Sequence, residues 1–90
     1  MNTDPQKAFF RDLKKITDPA LKEEVEQVIE TVKKAKSKKE IPKLRKVQGC
    51  KKGISYRIRV GDYRIGVTIV GDLVTFEVFK PRKDIYKFFP

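Results

Sequence analysis

The sequence predicts an α+β domain in which an N-terminal αα-hairpin packs on a twisted antiparallel β-meander. Three observations carry that expectation. Apolar stripes at helical spacing, each opened by an Asp-Pro pair, fill the first third of the chain. Runs rich in β-branched and aromatic residues follow from Ile54, and Gly-Asp pairs separate them. Ninety residues, 39% hydrophobic and 38% charged, make one folded domain spanning residues 1–90, with a modest core.

Asp4-Pro5 has the form of a helix start, with Asp as cap and Pro in the first turn. Phe9, Leu13 and Ile16 then follow at helical spacing. "TDPA" repeats the signal: Asp18 caps and Pro19 opens a second helix. Its stripe is Leu21, Val25, Val28, Ile29, Val32 and Ala35. Lys22–Glu26 and Glu30–Lys34 lie at ion-pair spacing on its other faces. "SKKEIPKLRKVQGCKKG", broken by Pro42, Gly49 and Gly53, reads as a basic loop. Ile41, Leu44 and Val47 tack it to the body, and Cys50 is a small loop residue. Three strands come next: Ile54–Val60, Tyr63–Val70 and Leu73–Phe79. Gly61-Asp62 and Gly71-Asp72 suit two-residue hairpin turns, Gly supplying the positive φ. The tail "KPRKDIYKFFP" leaves the last strand, which Pro81 helps to end.

Two-residue turns fix the pairing. Val60 faces Tyr63, Arg59 faces Arg64, Ile58 faces Ile65 and Arg57 faces Gly66. In the second hairpin Val67 faces Phe76, Gly66 faces Glu77 and Ile65 faces Val78. Opposed residues share a face, so Tyr56, Ile58, Val60, Tyr63, Ile65, Val67, Ile69, Val74, Phe76 and Val78 turn toward the helices. Arg57, Arg59, Arg64, Gly66, Thr68, Thr75, Glu77 and Phe79 form the other face. Like charges opposed across strands cost ~0.2–1 kcal/mol per pair, so an arginine cluster there points to an anionic ligand. Gly66 leaves a floor without a side chain beside the guanidinium groups, where a backbone or a ligand could approach. The plainer alternative is a solvated strand face with Glu77 bridging Arg57 or Arg64. Glu77 is either a structural counter-ion or a regulator of the arginines.

Net charge is +10 and unevenly spread. Residues 33–52 hold ten basic side chains and one acidic, whereas residues 1–32 hold five basic and seven acidic. A polyanion is the natural partner for such a segment, because each neutralised phosphate releases condensed counterions. The candidate RNA or ribosome contacts are Lys43, Arg45, Lys46, Lys51 and Lys52, with Lys80, Lys83 and Lys87 in the tail. An acidic protein partner competes for the same surface, and a solvated loop is the bland alternative.

Several chemistries are excluded. The chain has no histidine, so Ser-His-Asp, Cys-His and histidine-based ribonuclease mechanisms are out. Lone Cys50 makes neither an internal disulfide nor a usual zinc site. Asp62 and Asp72 flank an extended strand about 26 Å long, too far apart to share a metal ion. No phosphate-binding glycine motif is present, so neither metal nor other cofactor is expected. No apolar run approaches the ~20 residues that cross a bilayer. No secretory signal is evident, and the expected compartment is the cytoplasm.

What remains is metal-free phosphodiester chemistry on RNA, or binding alone. RNA carries its own nucleophile, the 2′-hydroxyl. A protein need only orient it, take its proton, stabilise the charge on phosphorus and protonate the departing oxygen. Arg57, Arg59 and Arg64 suit the third task. Tyr86 is the candidate proton-transfer group or base-stacking platform, since a phenol releases its proton more readily than a guanidinium. Arg82 lies four residues before it, and a tail folded back would bring both onto the arginine face. Such an enzyme needs its substrate oriented from outside, as a ribosome would do.

"FFRDLKKI", "IPKLRKVQG", "YRIRVGDYRIG" and "RKDIYKFFP" occur in that order around an acidic amphipathic helix. This combination resembles the RelE/ParE superfamily of toxins from type II toxin–antitoxin systems. The resemblance implies two helices packed on a twisted antiparallel sheet of three or four strands. It implies a ribosome-dependent endoribonuclease that cuts mRNA in the A site. Its catalytic positions would be Arg57, Arg59, Arg64, Arg82 and Tyr86, and its partners mRNA, the ribosome and a cognate antitoxin. Many relatives have histidine directly before the arginine, where this chain has Pro81. Relatives also begin with a β-strand, whereas "MNTDPQK" is rich in polar and turn-forming residues. A short or missing first strand would leave a sheet edge open to pairing between two copies, a homodimer. ParE-type relatives act on DNA gyrase, so a gyrase inhibitor is the alternative, beside a non-catalytic RNA- or ribosome-binding module.

Overall fold

A computed structural model describes residues 1–49 and 52–90; Cys50 and Lys51 lie outside the described residues. In chain order the elements are β1 (Asn2–Pro5), α1 (Lys7–Lys14), α2 (Pro19–Lys34), a 3-10 turn (Lys38–Glu40), β2 (Leu44–Lys46), β3 (Ser55–Val60), β4 (Tyr63–Val70), β5 (Leu73–Pro81) and α3 (Ile85–Phe88). The strands form one five-stranded sheet in the order β1-β5-β4-β3-β2.

The two N-terminal helices form as their local signals dictate, with one change. Asp18 caps α2, its carboxylate accepting from Ala20 N at 3.0 Å, and Pro19 opens the helix. Asp4-Pro5 does not start α1. Both residues belong to β1, and α1 begins at Lys7 after an extended Gln6. Phe9, Val25, Val32 and Ala35 are buried against the sheet, with Leu13, Ile16, Leu21, Val28 and Ile29 packed around them. Glu30 pairs with Lys33 at 3.6 Å rather than with Lys34.

The sheet is wider than the predicted meander because two polar segments join its edges. β1 runs parallel to β5, pairing Asn2 with Leu73 through Pro5 with Phe76. It covers the β5 edge expected to be open, so that edge is not free to pair with a second copy. β2, inside the segment read as a basic loop, pairs antiparallel to β3, with Leu44 opposite Ile58 and Lys46 opposite Tyr56. Both hairpin turns carry positive φ at Gly61 and Gly71.

The β3–β4 register is the predicted one, from Val60↔Tyr63 to Arg57↔Gly66. The β4–β5 register follows the prediction only as far as Val67↔Phe76. A bulge there puts Gly66 opposite Val78, Ile65 opposite Phe79 and Arg64 opposite Lys80. The extra residue, Glu77, reverses the faces of the rest of β5. Phe79, expected on the arginine face, is therefore buried in the helix-side core and stacked on Tyr63 with ring centroids 4.8 Å apart. Val78, expected in that core, turns to the opposite face and packs with Val47, Ile85 and Phe89. That second cluster seats α3 on the arginine side of the sheet.

Candidate functional site

The site is built on the side of the sheet away from α1 and α2. Arg57 and Arg59 project from β3 and Arg64 from β4, because alternate residues of paired strands share a face. β5 ends at Pro81, and the Arg82 amide donates to Asp62 O at 2.8 Å, tying the tail to the β3–β4 turn. α3 then folds back over the sheet. It buries Ile85 and Phe89 and leaves Tyr86 66% exposed.

This arrangement places the Arg57 guanidinium carbon 4.5 Å from the Tyr86 ring centroid, a cation–π contact. Around the pair opens a cleft of ≈ 250 Å³ lined by Lys43, Arg45, Arg57, Arg59, Arg64, Arg82 and Tyr86. Its lining thus holds six cationic side chains, one phenol and no carboxylate. Arg64 donates from one Nη to Gly61 O at 3.0 Å and Tyr63 O at 2.8 Å, which fixes its head at the hairpin end. Burial lowers its pKa from the ordinary arginine value, and the charges of Arg59 and Arg82 lower it further; Tyr86 and Asp62 act the other way. Arg57 Nε is buried with no hydrogen-bond acceptor. Like charges held together beside an unmet buried donor are chemically suited to an anionic group.

Lys43 reaches this cleft through a special backbone. It has φ 60, in the left-handed region, directly after Pro42. Its carbonyl accepts from Arg59 N at 3.3 Å. A non-glycine residue held so costs of order 1–3 kcal/mol, and such strain gathers at functional sites.

The other proposed contacts are dispersed. Lys83 lines a neighbouring slot with Asp62, Pro81, Arg82 and Tyr86. Lys46 lies over Gly53. Lys52 and Lys87 are exposed and do not line the cleft. Lys51 is outside the described residues. Lys80 is committed elsewhere: its Nζ lies 2.9 Å from Asp12 Oδ1 and 4.2 Å from the Phe88 ring centroid.

The arginine face differs from the sequence expectation at Gly66 and Glu77. The floor left by Gly66 is filled from within, because Phe89 lies against it. Glu77 bridges neither Arg57 nor Arg64; it accepts from Thr68 Oγ1 at 3.0 Å. Asp12 was missed by the sequence reading. It is buried on α1, accepts from Phe79 N at 3.1 Å, and so caps the edge of β5 beyond the end of β1. Only its place on the apolar side of a helix, four residues from Phe9's turn neighbour Ala8, hinted at burial.

Among the described residues no three His, Cys, Asp or Glu side chains are grouped to hold a metal ion. No helix among them is long and apolar enough to cross a membrane.

No family model matches the chain. It is 34% identical over 85 residues to Toxin RelE3 of Methanocaldococcus jannaschii, a span covering 93% of each chain. A chain of the RelB–RelE antitoxin–toxin complex from Methanococcus jannaschii superposes with a TM-score of 0.79 at 32% identity, covering 97% of this chain and 99% of that one. A chain of the archaeal RelE–RelB complex from Pyrococcus horikoshii OT3 shares the fold, with a TM-score of 0.71 at 20% identity over 90% of this chain and 93% of that one. With that identity running over nearly its whole length, the chain belongs to the RelE toxin family.

Proposed function

We propose that the chain is the toxin of a toxin–antitoxin pair, a metal-free endoribonuclease that cuts mRNA on the ribosome. The observation that carries this reading is the cleft in which Tyr86 stands over Arg57 among five further cations. An RNA phosphate entering it meets Arg57, Arg59 and Arg64 from the sheet and Arg82 from the tail.

In this reading the RNA 2′-oxygen attacks the adjacent phosphorus. The new O2′–P bond forms as the P–O5′ bond breaks, leaving a 2′,3′-cyclic phosphate and a 5′-hydroxyl. The proton lost by the 2′-oxygen and the proton gained by the 5′-oxygen balance. The arginines stabilise the charge that builds on the phosphoryl oxygens, a task suited to fixed, planar donors. Tyr86 and Lys43 are the cleft-lining groups able to pass a proton, and the exposed Tyr86 ring also offers a base a stacking surface. The cleft lining has neither histidine nor carboxylate, and the ribosome supplies the substrate alignment that makes the reaction fast. The partners are therefore mRNA and the ribosome. A cognate antitoxin is the third, supported by the toxin–antitoxin complexes among the structural neighbours.

The test adds purified protein to programmed ribosomes and maps mRNA 5′ ends, with Arg64→Ala and Tyr86→Phe as controls. Codon-phased cuts that vanish in both variants are expected. Intact mRNA with inhibited DNA supercoiling would instead assign the chain to gyrase poisoning. Salt-sensitive ribosome binding without cuts would leave a binding module.

A further inference from the structure

Beside the cationic cleft lies a second concavity of ≈ 410 Å³, lined by Asp62, Pro81, Arg82, Lys83 and Tyr86. The two share Arg82 and Tyr86 as a common wall. Their chemistry differs in one respect. The cleft has no carboxylate in its lining, and the slot has one.

Asp is a residue the Gly61-Asp62 turn favours, but the turn gives its carboxylate no partner. The hairpin requires positive φ at Gly61, which glycine supplies, and places no demand on the next side chain's charge. Asp72 occupies the matching position of the other turn, and its carboxylate accepts from Asn2 Nδ2 at 3.5 Å. Among the described residues, the Asp62 carboxylate takes no hydrogen bond and no ion pair. Its charge is felt at Arg64 all the same. A negative group there weakens the hold on any phosphate next door, unless it acts on the same ligand. Its position is also set firmly, since Arg82 N donates to Asp62 O and pins turn and tail together.

We propose that this slot is a nucleobase subsite in which Asp62 selects guanine. The proposal rests on the reading that the adjoining cleft takes an RNA phosphate, and it adds which base stands beside that phosphate. Pro81 and the Tyr86 ring give the slot flat apolar walls on which any base can lie. An ionised carboxylate only accepts hydrogen bonds. Guanine offers two donors side by side, N1–H and the exocyclic amine, spaced to meet both carboxylate oxygens. Adenine and cytosine offer one donor next to an acceptor. Uracil offers one donor between two carbonyls, which the carboxylate repels.

The test is the binding of 5′-labelled UUGUUU RNA to the whole protein at low salt, beside the same oligomer with inosine or uridine in place of guanosine. Inosine lacks only the exocyclic amine. Wild type is expected to prefer the guanosine oligomer over the uridine one by about tenfold, with inosine between them. In Asp62→Asn, which keeps the turn but exchanges one acceptor for a donor, that ratio is expected to fall to within about twofold. Equal binding of all three oligomers by wild type overturns the proposal, as does a guanosine preference that survives Asp62→Asn. No binding of any of them overturns it too. The same substitutions placed in the mRNA of programmed ribosomes separate the two readings. Cuts without base preference, with flat binding, sink the subsite and keep the ribonuclease. Guanosine-selective binding without any cuts does the reverse.

Discussion

Phe89 stands on the bare backbone of Gly66: a methyl group built there would lie 2.6 Å from the ring's Cγ. The contact is a seat for α3. It works with Ile85, Val47 and Val78 to hold the last helix on the arginine face, and so to hold Tyr86 over Arg57.

Gly66→Ala is therefore expected to destabilise the fold by ~1–3 kcal/mol through overpacking and to displace α3. No left-handed backbone is involved, so the effect is steric. Urea unfolding checks it. In a Phe89→Ala background the cost of Gly66→Ala should shrink, because the clashing ring is gone.

Asp12 is expected to matter more than any surface acid. Its carboxylate is 4% exposed and bonds Phe79 N and Lys80 Nζ. Asp12→Ala orphans both donors, at a cost of ~3–5 kcal/mol. Glu30→Ala removes only the exposed pair with Lys33 and should cost ~0–1 kcal/mol. Chemical denaturation of the two variants gives the contrast.

Arg59 and Arg64 are directly opposed on neighbouring strands. Arg59→Thr should raise stability by ~0.2–1 kcal/mol while weakening RNA binding. It should also reduce the salt slope of binding by ~1. Arg64 fixes the sign with pH. A cation whose pKa is lowered on folding costs stability wherever both states are charged, and the cost is relieved only as pH rises past the folded value. Through the neutral range its contribution is thus flat, and salt is the variable that reveals the cluster.

Lys43→Gly should stabilise the protein by ~1 kcal/mol, since glycine adopts the left-handed conformation without strain. The same change removes a cleft cation. Higher melting temperature with weaker ribosome binding is the expected pair of results.

Tyr86→Phe keeps the ring over Arg57 and loses only the hydroxyl. If that hydroxyl moves a proton, single-turnover cleavage on ribosomes falls ~10²–10⁴-fold with binding intact. Tyr86→Ala should lose both. Equal cleavage by Tyr86→Phe and wild type would reduce Tyr86 to a stacking platform.

The arginine face shows how far local signals reach. Gly61-Asp62 sets a two-residue turn, and the strict alternation of β3 and β4 then leaves Arg57, Arg59 and Arg64 no choice of side. The Asp18 cap and the stripe from Leu21 to Ala35 are equally local. Beyond Gly66 the prediction of β5 fails, because nothing in "TFEVF" marks Glu77 as an extra residue. A bulge is settled by which side chains the two faces can accept. Phe79 fills the helix-side core beside Phe9 and Tyr63, and Val78 meets the tail.

Turn chemistry and residue period alone determined α2, the body of α1, the first hairpin and the gathering of three cations. Tertiary structure decided the edges and the lid of the site. β1 is a strand because β5 offers it unpaired hydrogen-bonding groups, not because "NTDP" favours extension. Tyr86 stands over Arg57 because Phe89, three residues later, finds the one position of β4 without a side chain. Such pairings join residues far apart in the chain, and no periodicity within either segment encodes them.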